Sequence, residues 1–128
     1  MKLLLDTCVF LWLADGSPEL TRRAREAFLD DENALYLSAV SVWEISIKYS
    51  LGRLTLPKRP EAYIPRVREE GDIESLPLDE ESGLQVAKLA HLHKDPFDRI
   101  LIAQAITHGM VIVTPDQAIE QYAVRTLW

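Results

Sequence analysis

Short apolar segments alternate along the chain with longer segments that have helical periodicity. The clearest apolar segments are Leu3–Leu5, Ala34–Leu37 and Met110–Val113, which have the length and composition of buried strands. A weaker one lies within Asp72–Leu78, and Val124–Leu127 has the pattern of a small edge strand. Strands that alternate with helices build a parallel sheet covered on both faces. We therefore predict an α/β fold, a three-layer α/β/α domain with a central, mostly parallel sheet of four to five strands.

Helices are predicted between these strands from apolar spacing and from capping residues. The segments are Cys8–Leu13, a helix capped by Ser17 with Pro18 at its first position, Ser38–Leu51 ending at Gly52, a short helix around Tyr63–Glu70, Asp79–Leu92, a helix from Asp95-Pro96 to His108-Gly109, and a last one from Asp116. No linker, repeat or low-complexity stretch interrupts the series. We predict a single domain over residues 1–128.

The composition restricts the partners and the compartment. The net charge of −6 argues against broad adsorption to nucleic acid or anionic membranes, although it allows a local basic groove. Cys8 is the only cysteine, which excludes an internal disulfide and favours a reducing compartment. The apolar start resembles a signal peptide, but Asp6 interrupts it, and no apolar run approaches the roughly 20 residues that cross a bilayer. We expect a soluble cytoplasmic protein without a membrane partner.

Four acidic residues occupy corresponding positions relative to the predicted strands and helices. Asp6 and Asp116 follow strands, Glu44 lies on the helix after the second strand, and Asp98 lies at the start of a helix. In open α/β sheets such positions gather at the carboxyl edge, near the point where strand order reverses. We therefore predict that the four carboxylates form one cluster. Clustered carboxylates repel one another without a counter-charge, and Mg²⁺ or Mn²⁺ supplies one while favouring oxygen ligands.

Each acid also has a simpler structural explanation. Asp6 and Asp116 suit helix N-caps, and Asp98 suits the first turn of a helix. Glu44 could pair with Lys48 one turn later, a contact worth only about 0.2–0.5 kcal/mol. Glu44 is the least well explained in this way, because its neighbours on the helix are almost all apolar. Convergence at a metal accounts for all four acids together.

A carboxylate site without cysteine or histidine ligands is typical of phosphoryl transfer or phosphodiester hydrolysis, in which a metal-activated water attacks. One or two metal ions are equally compatible with the pattern. Two alternatives remain open: another Mg-dependent phosphoryl-transfer hydrolase, and a non-catalytic α/β protein-binding module. A haloacid-dehalogenase-type phosphatase would need a second aspartate where Cys8 stands, and a dinucleotide-binding domain would need a glycine-rich first turn.

Four segments in order resemble a known family. They are MKLLLDT (Met1–Thr7), SVWEISIK (Ser41–Lys48), HKDPFDRILIAQA (His93–Ala105) and TPD (Thr114–Asp116). This set resembles the PIN domain family and, within it, the VapC-type toxin ribonucleases of toxin–antitoxin pairs. The resemblance implies a Mg²⁺- or Mn²⁺-dependent endoribonuclease that acts on RNA, is neutralised by a VapB-type antitoxin and is often a homodimer.

The same resemblance implies roles for individual residues. The family's catalytic, metal-binding acids correspond to Asp6, Glu44, Asp98 and Asp116. Its hydroxyl residue before the last acid corresponds to Thr114, which would orient Asp116 or a water. Cys8 departs from the family pattern, in which histidine or asparagine is frequent at this position.

A basic stretch follows the helix that carries Glu44. Lys48, Arg53, Lys58 and Arg59 are either a solvated face or a positive rim that binds the RNA backbone. Asp95 is assigned to the N-cap of its helix.

Other residues invite functional interpretations that we weigh against structural ones. Cys8 at a helix N-terminus could be a reactive thiol, but a small buried residue is the preferred reading. His93 is expected to make a loop hydrogen bond near Asp95 rather than bind zinc. Arg99 could reach a phosphate or a partner's acid. Trp12, Trp43 and Tyr49 are expected in the core or an interface rather than as base-stacking platforms.

Overall fold

The computed structural model describes residues 1–128 and contains one sheet of five parallel strands. The strands are β1 (Lys2–Leu5), β2 (Ala34–Ser38), β3 (Ile73–Leu76), β4 (Val111–Val113) and β5 (Arg125–Leu127). Their order in the sheet is β3-β2-β1-β4-β5, and every neighbouring pair is parallel. The predicted α/β fold is confirmed, and the last strand lies at the edge as expected.

Seven α-helices connect the strands. They are α1 (Thr7–Asp15), α2 (Arg22–Leu29), α3 (Ala39–Ser50), α4 (Pro60–Glu70), α5 (Glu80–Gln85), α6 (Pro96–His108) and α7 (Gln117–Glu120), with a 3₁₀ turn at Val86–Lys88. None of these helices has the length and apolar character that crossing a membrane requires.

Two predicted helix boundaries were wrong. The second helix begins at Arg22, because Thr21 is its N-cap and accepts a hydrogen bond from Ala24 N at 3.1 Å. The Ser17 hydroxyl instead accepts from Glu19 N within a turn. Helix α5 ends at Gln85 rather than near Leu92. The carbonyls of Val86 and Ala90 accept hydrogen bonds from the Arg99 guanidinium instead of from backbone N–H groups of a continuing α-helix.

The sheet separates two apolar layers, as the alternation of strand side chains requires. Leu3 and Leu5 of β1 face the larger layer, which includes Phe10 and Ile45. Leu4 points to the other layer with residues of α6. All three leucines are fully buried, so β1 is covered on both faces in the centre of the sheet.

The topology reverses beside β1. The chain runs outward through β2 and β3 on one side, and β4 and β5 lie on the other. Leu5 is paired with Val113 at the ends of β1 and β4, and Asp6 N donates to Val113 O at 3.0 Å. Because the connections after these two strands diverge, a crevice opens at their carboxyl ends.

Candidate active site at the carboxyl edge of the sheet

The four predicted acids, Asp6, Glu44, Asp98 and Asp116, line one cleft of about 400 Å³. The cleft lies where β1 and β4 end, at the topological reversal. Asp6 follows β1, Glu44 lies on α3, Asp98 is in the first turn of α6, and Asp116 follows β4. The structure therefore brings together side chains that are up to 110 positions apart in the chain.

Asp6 both caps a helix and faces the cleft. Its Oδ1 accepts a hydrogen bond from Thr7 N at 2.7 Å, and its Oδ2 accepts one from Thr114 Oγ1 at 2.6 Å. The residue is only 6% exposed. Burial raises the pKa of Asp6, although these two hydrogen bonds lower it. The charges of Glu44 and Asp116 also raise it. Capping and clustering are thus two functions of one carboxylate rather than alternatives.

Glu44 is buried on helix α3 beside the apolar Val40 and Ile45, and both of its carboxylate oxygens have partners. Its Oε1 lies 2.9 Å from Thr7 Oγ1, which is also 2.9 Å from Ser41 Oγ. Its Oε2 forms an ion pair with Lys48 Nζ at 2.5 Å. The hydrogen bond to Glu44 raises the pKa of Lys48 more than partial burial lowers it. The expected pair one turn apart therefore exists, and it brings a cation to the cleft.

Asp98 and Asp116 form the tightest part of the site, together with His93. His93 Nε2 lies 3.0 Å from Asp98 Oδ2 and 2.9 Å from Asp116 Oδ2. One ligand atom from each of these three residues lies within 4.8 Å of the others. Asp6 and Glu44 line the same cleft but are outside this compact group.

The electrostatics of this cluster are unfavourable for a second negative charge. Burial, together with the neighbouring charges of Asp6, Asp95 and Asp116, raises the pKa of Asp98 to about 7, although His93 lowers it. Burial also lowers the pKa of His93, but its hydrogen bond to Asp116 and the nearby carboxylates raise it overall. A cation in the cleft would relieve this repulsion.

Thr114 connects two of the acids. It is fully buried, donates to Asp6 Oδ2, and accepts from Asp116 N at 3.0 Å. Asp116 then caps α7 through Ala118 N at 2.9 Å. The hydroxyl therefore fixes Asp6 directly and the start of the Asp116 turn through its backbone.

Asp95 has the capping role that was expected, whereas Cys8 is half-buried in the wall of the cleft rather than fully buried. Asp95 Oδ1 accepts from Phe97 N at 2.9 Å and caps α6, although its side chain also lines the cleft. Burial, together with the charges of Asp6 and Asp98, raises the pKa of the Cys8 thiol to about 12. The thiol is consequently protonated at neutral pH and is not a nucleophile.

The basic stretch divides between two surfaces. Lys48 and Arg53 line the acidic cleft. Arg59 lines a separate cavity of about 640 Å³ between α3 and α4, and Lys58 is exposed and lines neither. Only half of the predicted RNA-binding set thus lies at the carboxylates.

The sequence interpretation missed the cleft contacts of His93. The expected loop hydrogen bond is present, since Asp95 N donates to His93 Nδ1 at 3.1 Å. The spacing of these two residues was the available signal, but it does not indicate where Nε2 points. Arg99 was also misplaced: it binds the carbonyls of Val86 and Ala90 and the Tyr122 hydroxyl.

The aromatic residues occupy different environments. Trp12 packs against Trp128 with ring centroids 5.7 Å apart, at the edge of the larger core layer. Trp43 is 61% exposed and meets Phe97 edge-on at 5.3 Å, so it is not a core residue. Tyr49 lines the cavity between α3 and α4.

A family model described as the PIN domain matches residues 3–125. A curated relative, ribonuclease VapC16 from Mycobacterium tuberculosis (strain ATCC 25618 / H37Rv), is 39% identical over 54 residues. That match covers 41% of this chain and only 38% of the relative's length.

Solved structures resemble the fold over nearly the whole chain. One is VapBC2 from Rickettsia felis bound to a promoter DNA fragment, with a TM-score of 0.76 and 12% identity over 99% of this chain and 98% of that chain. Another is DNA-bound VapBC from Salmonella typhimurium, with a TM-score of 0.70 and 21% identity over 99% and 97%. A third is VapBC-1 from nontypeable Haemophilus influenzae, with a TM-score of 0.68 and 20% identity over 99% of this chain and 97% of that chain.

Proposed function

This chain belongs to the PIN domain family, and from that membership we propose that it is a metal-dependent endoribonuclease, the toxin component of a VapBC-type toxin–antitoxin system. The observation that carries the proposal is the convergence of Asp6, Glu44, Asp98 and Asp116 on one cleft at the topological reversal of the sheet. The name of the curated relative supports ribonuclease activity.

The donor set of the cleft fits a hard divalent cation. Its acids offer carboxylate oxygens, which Mg²⁺ and Mn²⁺ prefer. Burial and, after it, the charges of neighbouring carboxylates raise the pKa of Asp6 and of Asp98, and a cation would stabilise both in the ionised form. Asp6, Glu44, Asp98 and Asp116 would hold such an ion. When bound, it would supply Lewis-acid stabilisation of the phosphodiester and a more acidic water.

Other residues of the cleft orient the acids and supply positive charge for an RNA backbone. Thr114 fixes the orientation of Asp6, and Thr7 donates toward Glu44. Lys48 and Arg53 add positive charge to the walls, where phosphate oxygens would approach. Cys8 contributes an uncharged thiol to the wall and leaves catalysis to the carboxylates.

We also propose two protein partners. A VapB-type antitoxin is supported by the fold, because the structural neighbours come from VapBC complexes. A second copy of this chain is supported by the exposed Trp43, which packs edge-on against the half-buried Phe97, since large exposed aromatic side chains are typical of interfaces.

The decisive experiment is RNA cleavage by the purified chain. We expect endonucleolytic cuts, mapped by sequencing the new RNA ends, that require Mn²⁺ or Mg²⁺ and disappear with EDTA. Asp98→Asn should abolish the cuts and keep the fold. Glu26→Gln is the matched control, because Glu26 is an exposed acid on α2, paired with Arg22, away from the cleft. Chelator-resistant cleavage, or full activity in Asp98→Asn, would contradict the mechanism.

A further inference from the structure

His93 is held in one orientation and one tautomer. Its Nδ1 lies 3.1 Å from Asp95 N, and a backbone N–H can only donate, so Nδ1 must present a lone pair. In the neutral ring the proton is then on Nε2. Nε2 lies 3.0 Å from Asp98 Oδ2 and 2.9 Å from Asp116 Oδ2. The ring therefore directs one N–H between two carboxylates from different elements.

The loop that carries His93 is held mainly by hydrogen bonds that do not involve the imidazole. The backbone N–H groups of Leu92 and His93 donate to the Tyr122 hydroxyl at 3.0 and 2.9 Å. That hydroxyl donates to Ala90 O at 2.7 Å, and Arg99 donates to the same carbonyl at 2.8 Å. Since these bonds anchor the loop through its backbone, the Nε2 side of the His93 ring can hydrogen-bond to the two carboxylates.

Two like charges this close would turn apart without a donor between them. We propose that His93 is a positioning residue that uses its Nε2–H to hold Asp98 and Asp116 in the orientation that binds a divalent cation, rather than being a ligand itself. The inference rests on the proposed metal-dependent function.

The same geometry argues against direct ligation. A histidine that binds a metal through Nε2 carries its proton on Nδ1, and that proton would point at the Asp95 N–H. Each carboxylate still has lone pairs to offer, because Nε2 contacts only one oxygen of each. Partners that orient metal ligands in this way typically affect metal affinity by about 10–100-fold.

A pair of substitutions separates positioning from loop structure. His93→Asn retains an acceptor near the Nδ1 position for Asp95 N but has no donor that reaches the carboxylates. His93→Gln restores a donor near the Nε2 position. With Mn²⁺ as the probe, followed by electron paramagnetic resonance of free and bound ion, we expect about 10–100-fold weaker binding by His93→Asn and near wild-type binding by His93→Gln. Equal or tighter binding by His93→Asn would overturn the proposal.

Two spectroscopic readouts complete the test. In ¹⁵N NMR of the metal-free protein, at a pH at which the ring is neutral, His93 should show an unprotonated Nδ1 and a protonated Nε2. Electron spin-echo modulation of bound Mn²⁺ should show no directly coordinated histidine nitrogen, and a coordinated nitrogen would make His93 a ligand and overturn its positioning role. Failure of the wild-type chain to bind Mn²⁺ would instead count against the proposed metal-dependent function.

Discussion

Thr114 Oγ1 donates a 2.6 Å hydrogen bond to Asp6 Oδ2, which joins the ends of β4 and β1 across 108 residues of chain. Both residues are buried, and the same hydroxyl accepts from Asp116 N. One side chain thus links two of the acids at the carboxyl edge of the sheet.

Replacing this hydroxyl should weaken both the fold and the activity. Thr114→Val removes the donor to Asp6 and the acceptor for Asp116 N, and leaving buried polar groups unpaired costs about 1–3 kcal/mol. We expect a loss of that size in the free energy of unfolding, measured by urea denaturation, and slower RNA cleavage. Thr114→Ser keeps the hydroxyl and should retain most of both. Equal stability of the wild type and Thr114→Val would show that the bond contributes nothing.

The buried charge of Asp98 should make the metal-free protein less stable as the pH rises. Its folded-state pKa is about 7, above the ordinary value of 3.8. The folded protein therefore holds the proton more tightly than the unfolded chain does. This stabilisation is fully present below pH 3.8 and is lost as the pH rises through about 7.

Thermal denaturation in EDTA between about pH 5 and about pH 8 tests this linkage. The melting temperature of Asp98→Asn should fall less over this interval than that of the wild type, because the amide does not ionise. Mn²⁺ should flatten the wild-type profile by neutralising the cluster. If the melting temperatures of the two metal-free proteins changed in parallel with pH, Asp98 would not be the source of the pH dependence.

Much of the fold follows from the apolar pattern of the sequence. Leu3–Leu5 and Met110–Val113 are too short and too continuously apolar for surface helices, and they form the strands β1 and β4. Helix boundaries were harder to predict, because Ser17 and Thr21 both suit an N-cap and only the hydrogen bond that Ala24 N donates to Thr21 Oγ1 identifies Thr21 as the cap. The sequence alone does not distinguish two such caps that lie four residues apart.

The site could be predicted from the sequence for those residues that sheet topology places at the carboxyl ends of strands. Asp6 directly follows β1 and Asp116 lies three residues after the end of β4, so their common edge could be inferred without coordinates. His93 was not predictable in this way, because it lies in a loop whose path depends on Tyr122 and Arg99. The cleft contacts of a loop residue depend on long-range hydrogen bonds that leave no periodic signal in the sequence.

Arg53 should contribute to RNA binding more than Arg59 does. Arg53 lines the acidic cleft, whereas Arg59 lines the cavity between α3 and α4. If Arg53 neutralises one phosphate, Arg53→Ala should reduce the slope of log affinity against log salt by about 0.7, the single-strand value. Fluorescence anisotropy with a labelled RNA at several salt concentrations measures this slope, with an Asp98→Asn background to prevent cleavage. Arg59→Ala is the matched control, and equal effects of the two substitutions would place the RNA elsewhere.

Removing the Tyr122 hydroxyl should loosen the loop that presents His93. The backbone N–H groups of Leu92 and His93 would lose their acceptor in Tyr122→Phe. We expect faster amide hydrogen exchange at these two residues and a loss of about 1–3 kcal/mol in stability. Tyr36→Phe is the control, since its hydroxyl makes none of the loop contacts. Unchanged exchange at Leu92 and His93 would mean that other contacts hold the loop.

Trp43 should stabilise a homodimer if α3 forms the interface. It is 61% exposed beside Phe97, and truncation of a central interface tryptophan typically costs at least about 2 kcal/mol, or roughly 30-fold in the dissociation constant. Analytical ultracentrifugation should show a dimer for the wild type and a shift toward monomer for Trp43→Ser. Leu29→Ser is the matched control, because Leu29 is 82% exposed on α2 and lies on a different helix. A monomeric wild type would exclude the homodimer, and an unaffected dimer in Trp43→Ser would move the interface away from α3.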